Sequence, residues 1–285
     1  MSLSHTILLG LIAGGTIFLG LPVGRLRRMP PGLRVFLSAV AVGVLVFLVW
    51  DVLSAAWEPL DAALGDVHDH AGGGGRVAGY GLIFAVGLSV GLLGLVGYEH
   101  WLKRRSASLT RNFGPGAMSA GELTARRAGI ATWSPARRMA LLIAIGIGLH
   151  NFAEGLAIGQ SAAKGDIALA TLLVVGFGLH NATEGFGIVA PLAGGDDRPS
   201  WAFLAAMGVV GGGPTFVGAA LGHGFTSEPV SVAFLTLAAG SILYVVIQLL
   251  GVAAKAKRPE LVASGLLLGL LAGFATDAVV TLAGV

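Results

Sequence analysis

Residues 138–163 read RMALLIAIGIGLHNFAEGLAIGQSAA, and residues 176–189 read GFGLHNATEGFGIV. Both contain G-L-H-N-x-x-E-G, thirty residues apart, so one polar motif is duplicated within apolar sequence. A run of about 20 apolar residues crosses a bilayer as a helix. An ionisable side chain inside such a run is expensive, so each one needs a reason. Helical spacing stacks His150 over Glu154, and His180 over Glu184, because residues i and i+4 share a face. Asn151 and Asn181 lie about 100° round from the histidines, at the edge of the same face. The connection near Lys164 to Asp166 is short, which makes the two runs an antiparallel hairpin. Facing each other, two His and two Glu can surround one point at mid-membrane.

Six further apolar runs surround this pair. The expected spans are 5–24, 33–54, 78–101, 138–163, 166–190, 201–224, 229–252 and 260–283, which predicts an all-α integral membrane protein, a bundle of eight transmembrane helices in one membrane domain. The whole composition agrees. Of 285 residues, 55% are hydrophobic and 12% charged, and the mean hydropathy is +0.83. A soluble domain carries about 25% charged residues. Most of the 46 glycines fall inside the apolar runs, where small residues let membrane helices approach closely. The first run has no basic segment before it and no evident cleavage site, and its arginines follow it, as in a retained span.

Basic residues set the orientation. Sixteen fall in alternate loops: Arg25, Arg27, Arg28 and Arg34, then Lys103, Arg104, Arg105, Arg111, Arg126, Arg127, Arg137 and Arg138, then Arg198, then Lys255, Lys257 and Arg258. Only Arg76 and Lys164 fall in the others. Loops rich in Lys and Arg stay cytoplasmic, so both termini are expected outside the cytoplasm, with the protein multi-pass in the cell (inner) membrane. This placement also accounts for the pI of about 9.6 without any nucleic acid partner. The 102–137 segment, basic and containing Gly114, Pro115 and Gly116, reads as a flexible cytoplasmic loop. On the other side, 55–77 reads as a solvated loop carrying Glu58, Asp61, Asp66, His68, Asp69 and His70. It is a candidate cation collector at a pore mouth, although an HDH triplet alone is a weak metal signal.

The absence of cysteine excludes disulfides, thiolate zinc sites and a Cys nucleophile. Imidazole plus carboxylate suits zinc, iron(II), manganese or cobalt, and two carboxylates neutralise a dication. The bland alternative is that each His merely pairs with the Glu four residues on. A duplicated motif on adjacent spans argues against that, since two buried copies double a cost that helix association does not require.

At these residues the chain resembles the ZIP family of zinc and iron transporters, as a prokaryotic member. The resemblance implies eight spans with both termini outside, a variable cytoplasmic loop between spans three and four, an HNxPEG-type motif on span four and a related one on span five. It covers the whole chain in topology, and its specific motifs lie on the two central spans. Position by position it implies that His150, Glu154 and Glu184 are primary ligands of the transported metal, with His180 at the neighbouring ligand position. Asn151 and Asn181 would line a second metal position found in binuclear members. It implies zinc as the foremost cargo, with iron, manganese, cobalt and cadmium as alternatives, and an elevator-like movement of a four-helix unit against a scaffold.

The chain departs from that pattern at several places. Ala153 and Thr183 stand where Pro is common, Gly213 precedes Pro214 where several members have Glu-Pro, and Gln248 and Asn181 stand where acidic residues are frequent. Each of the last three removes a carboxylate, which favours one metal site. Asp51, in FLVWDVLS, resembles the polar position that the family's second span points toward the pathway, as a ligand or an entrance carboxylate; the competing reading is an interface residue. Asp277, in GFATDAVV, reads as a helix-end residue reaching water, and Glu99 and His100 read as interfacial.

The functional expectation is a divalent-metal transporter, zinc uptake foremost, and not an enzyme. The rivals are an intramembrane metalloenzyme and a metal exporter or channel. An enzyme would need an open metal position and a general base, often as HExxH, yet His150 is followed by Asn, and neither HExxH nor GxSxG occurs. The expected partners are the lipid bilayer and divalent metal ions, and the Gly-rich helix faces permit a homodimer.

Overall fold

The computed structural model describes all residues except 27–29, 71, 111–129, 131–132, 166, 194–197, 225–226 and 283–285. It is all-helical among the described residues. The helices are α1 (Leu3–Gly15), α2 (Ile17–Gly20), α3 (Pro31–His68), α4 (Gly74–Thr110), α5 (Pro135–Ala163), α6 (Ile167–Val189), α7 (Trp201–Gly224), α8 (Glu228–Ala254) and α9 (Pro259–Leu282), with a 3-10 turn over Leu21–Arg25 following α2. Among the described residues seven segments are long and apolar enough to cross a membrane: Leu3–Arg25, Pro31–His68, Gly74–Arg104, Pro135–Ala163, Trp201–Gly224, Glu228–Ala254 and Pro259–Ala278. Helix α6, which carries the second motif, is 23 residues long and occupies the remaining expected interval.

Two expected boundaries are corrected. Helix α3 does not end near residue 54 but runs for 38 residues to His68, with Pro59 inside it. At 1.5 Å per residue it is about 57 Å long, against about 30 Å of hydrocarbon. The stretch expected as a long loop is therefore mostly helix, and only a turn through Gly72 and Gly73, both at positive φ, separates α3 from α4. Leu60 and Ala63, three apart on one helical face, are buried against Tyr80 of α4 and Val232 of α8, and that burial sustains the extension. Likewise α4 continues to Thr110, past the expected start of the cytoplasmic loop at 102. Helix α5 opens at Pro135, with Ser134 as N-cap accepting from the Arg137 amide at 3.2 Å. Residues 111–129 and 131–132 of that loop lie outside the described residues.

The tight pairs meet through glycines. Helices α5 and α7 run parallel, with Gly155 and Gly159 against Gly218 and Gly222; α3 and α9 run parallel through Gly43 and Gly265, Gly269 and Gly273; α4 meets α8 through Gly91 and Gly240. Such i, i+4 glycine ladders bring backbones close enough for dispersion forces to hold helices together in lipid. Two groups result. Helices α1, α5, α6 and α7 pack mainly on one another, as do α3, α4, α8 and α9, and α5 against α8 forms the largest contact between the groups.

Candidate metal centre

The duplicated motif is built for close approach at both ends. Its last glycine is Gly155 in the first copy, where a Cβ would collide with the Thr215 carbonyl of α7. In the second copy it is Gly185, where a Cβ would collide with the Ile17 carbonyl of α2. The first glycine of the first copy, Gly148, sits equally tightly on the Val210 carbonyl. Each motif helix is thus seated on its own partner, α5 on α7 and α6 on the α1–α2 segment. The glycines fix how each helix is rotated about its axis, and so where the His and Glu between them point.

They point at each other. The Nε2 of His180 lies 2.5 Å from Oε1 of Glu154, and the Nε2 of His150 lies 2.9 Å from the same oxygen. His150 Nε2 is 3.9 Å from Oε1 of Glu184, and the two imidazole centroids are 6.2 Å apart. His150, Glu154 and His180 each offer a ligand atom, and these atoms all lie within 4.8 Å of one another, which is the spacing a single metal ion spans. His150, Glu154 and Glu184 are buried, at 1%, 5% and 2% exposure. Among the described residues, His150 Nδ1, Glu154 Oε2 and both oxygens of Glu184 make no hydrogen bond of ordinary geometry. Unpaired buried carboxylate oxygens are costly and are retained where something else satisfies them, an ion foremost.

On α6, Thr183 Oγ1 donates to the His180 carbonyl at 2.7 Å, a local side-chain-to-backbone bond within the helix. Phe177 packs edge-on against the His180 ring at 5.5 Å between centroids, which restricts its rotation.

His150, Glu154 and His180 line a cavity of about 400 Å³ between the two helix groups. Its other walls are Val44, Phe47, Leu48 and Asp51 of α3 and Gly273, Thr276 and Asp277 of α9, with Ala153 and Ala157 of α5 on the opposite side. Asp51 therefore lines the cavity that holds the ligands. So does Asp277, which sequence reasoning assigned to water at a helix end. Its signal was present: Gly265, Gly269, Gly273 and Asp277 recur at i+4, so the ladder that packs α9 on α3 continues straight into the acid. On α3 the matching ladder is Gly43, Phe47 and Asp51, and a Cβ on Gly273 would meet the Phe47 ring.

Asn151 and Asn181 direct their amide nitrogens to neighbouring helices, while the Oδ1 of each is buried without a partner among the described residues. Asn151 Nδ2 donates to the Gly211 carbonyl of α7 at 3.0 Å, and Asn181 Nδ2 donates to the Ala13 carbonyl of α1 at 3.0 Å. Gln248 is also engaged, donating through Nε2 to Oε2 of Glu99 at 3.0 Å, where Tyr244 donates as well at 3.1 Å. Lys103 holds the other Glu99 oxygen at 2.6 Å. Glu99 is thus the centre of a clamp between α4 and α8. No protein-family model matches the chain, and no curated protein matches it.

Proposed function

We propose that the chain is an eight-span membrane transporter of divalent transition-metal ions, zinc foremost, working in the manner of the ZIP family that its motifs resemble. The observation that carries this reading is the convergence of both motif copies on one point: His150 and Glu154 from α5 and His180 from α6 within 4.8 Å of one another, lining a cavity. A neutral imidazole pair with a carboxylate gives zinc distances of about 2.0–2.2 Å without strain, and Glu184 behind His150 supplies the second negative charge. The metal here is cargo. Ligands contributed by two separate helices can part, and an incomplete cage releases its ion more readily than a closed one.

The basic loops orient the cavity. With both termini outside, Asp51 and Asp277 lie in the outward halves of their spans, so the cavity faces outward. Beneath the ligands Leu45, Ile143, Ile147, Ile188 and Leu249 belong to one buried apolar cluster that closes the inward path. A hydrated dication enters past the two aspartates, exchanges water for His150, Glu154, His180 and Glu184, and leaves inward when the two helix groups shift relative to each other. The division into α1, α5, α6, α7 and α3, α4, α8, α9 supplies bodies that can so move. Localisation in the cell membrane, uptake as the direction and a single metal site belong to the same proposal.

The test is radioactive zinc uptake into proteoliposomes, comparing the intact protein with a folded His150→Ala/Glu184→Ala variant. Uptake by the intact protein alone, suppressed by cadmium or cobalt, is the expected result. Equal uptake by both, or none by either, overturns the reading.

A further inference from the structure

Two side chains in the motif are conspicuous for being tied through their amide nitrogens to neighbouring helices. Asn151 and Asn181 occupy the same place in the two copies, directly after the His and three before the Glu. Both are fully buried. Each sends its amide N–H to a backbone carbonyl of a different helix at 3.0 Å, Asn151 to Gly211 on α7 and Asn181 to Ala13 on α1. A carbonyl can only accept, so the amide nitrogen of each Asn must face it.

Gly211 lies one turn before Pro214 inside the continuous helix α7, next to Val210, whose carbonyl is the one Pro214 leaves without an N–H. Ala13 lies at the end of α1, where the chain breaks at Thr16 before resuming as α2, and its carbonyl also accepts from the Thr16 hydroxyl at 2.7 Å. Two buried tethers of the same kind, in the same register of a repeat, are not a requirement of helix association.

We propose that Asn151 and Asn181 are positioning residues, each tying its motif helix through an amide N–H to a backbone carbonyl of a neighbouring helix and so aiming the adjacent His and Glu at the cluster. The inference rests on the metal reading for its effect on affinity, and on the hydrogen bonds alone for its effect on stability. It assigns these amides a role other than ligation, since a ligand would act through Oδ1. The two roles respond oppositely to one substitution. Asn→Asp keeps the oxygen, adds charge that a bound dication would compensate, and removes the N–H. Asn→Leu, of similar size and uncharged, removes both polar atoms.

The experiment measures zinc affinity and the cobalt(II) absorption spectrum of detergent-purified intact protein, Asn151→Asp and Asn151→Leu, with the Asn181 pair alongside. Thermal midpoints are recorded for all of them without metal. Misaimed outer partners typically cost metal sites about 10–100-fold in affinity. The expected result is a loss in that range for both Asp and Leu at each position, with a weakened cobalt spectrum and a lowered midpoint. Affinity in the Asp variants equal to or tighter than that of the intact protein, with only Leu weakened, overturns the proposal in favour of ligation through Oδ1. If the intact protein binds neither metal, the transport reading fails separately. The midpoints then decide the tether, a fall of several degrees for Asp and Leu upholding it and unchanged midpoints overturning it.

Discussion

His180 Nε2 stands 2.5 Å from Glu154 Oε1, a contact made across the two halves of a duplicated motif rather than within either. The i,i+4 spacing pairs each His with the Glu of its own copy, and His150 does meet Glu154 at 2.9 Å. His180 instead reaches over to the other helix. Glu154 is therefore shared by both imidazoles, and its Oε1 marks where the two helices converge.

That sharing makes Glu154 the residue whose loss should do most damage. Glu154→Gln keeps the shape but leaves two imidazoles facing a group that is no longer an anion. Zinc binding is expected to fall by more than 100-fold, and uptake to be lost, in a variant that still purifies as a folded protein. Titration calorimetry reads the affinity directly. In buffers of differing ionisation enthalpy the intact protein should release protons on binding zinc, because metal-bound imidazole is neutral and carboxylate must be ionised. Binding accordingly weakens as pH falls through the imidazole range. A proton count of zero would mean that the cluster does not take the metal.

Glu184 separates binding from release. Among the described residues its oxygens make no hydrogen bond of ordinary geometry, and its Oε1 lies 3.9 Å from His150 Nε2. A protonated carboxyl is a poorer ligand, so protonation there favours letting the ion go. Uptake by Glu184→Gln should lose much of its pH dependence while remaining measurable. An unchanged pH profile for the variant removes Glu184 from the release step.

The glycines of the motif carry a stability prediction. Gly155→Ala and Gly185→Ala each push a methyl into a backbone carbonyl, of Thr215 and Ile17 respectively. Backbone cannot yield as a flexible side chain does, so each should cost about 1–3 kcal/mol. Gly94→Ala, with nothing within 4 Å, is the control and should be close to neutral. Thermal denaturation in detergent, followed by circular dichroism, distinguishes them.

These glycines also show how far the sequence could be read. The duplicated G-L-H-N-x-x-E-G announced a His and Glu cluster on two apolar helices, and the expected bounds of α5 to α9 fall within three residues of those observed. Apolar length is a strong signal when the membrane sets it. The 14 residues after position 54 in α3 escaped that signal, because Glu58, Asp61 and Asp66 interrupt the apolar run and Pro59 suggests a stop. What sustains the helix there is contact with Tyr80 and Val232, distant in sequence. The direction of Asn151 and Asn181 was illegible for the same reason: their partners are backbone carbonyls 60 and 168 residues away. Gln248, read as a missing carboxylate, proves to be a donor to Glu99.

The clamp at Glu99 supports a further expectation. Tyr244→Phe removes the phenolic donor from a fully buried ring and leaves Glu99 with Lys103 and Gln248. A hydrogen bond to a charged group contributes about 1.5–3 kcal/mol, and a loss near the lower end is expected because two partners remain. Metal affinity should not change, since neither residue lines the cavity. A large affinity loss in Tyr244→Phe would instead tie the clamp to the metal centre.

The last expectation concerns Asp51 and Asp277, which line the cavity beyond the ligands. Along α3 and α9 the register advances together, Gly43 near Gly269 and Phe47 near Gly273, so the next step on each helix brings the two acids to the same level. Carboxylates in an apolar-walled cleft concentrate cations and speed their arrival, an effect that salt screens over about 10 Å at 0.1 M. Asp51→Asn and Asp277→Asn should therefore raise the KM for zinc uptake several-fold at low ionic strength while leaving the maximal rate largely intact. The difference from the intact protein should narrow as salt is added. If either aspartate is a ligand of the transported ion, its substitution will lower the maximal rate, and added salt will not restore the difference. Uptake kinetics at two ionic strengths decide between steering and ligation.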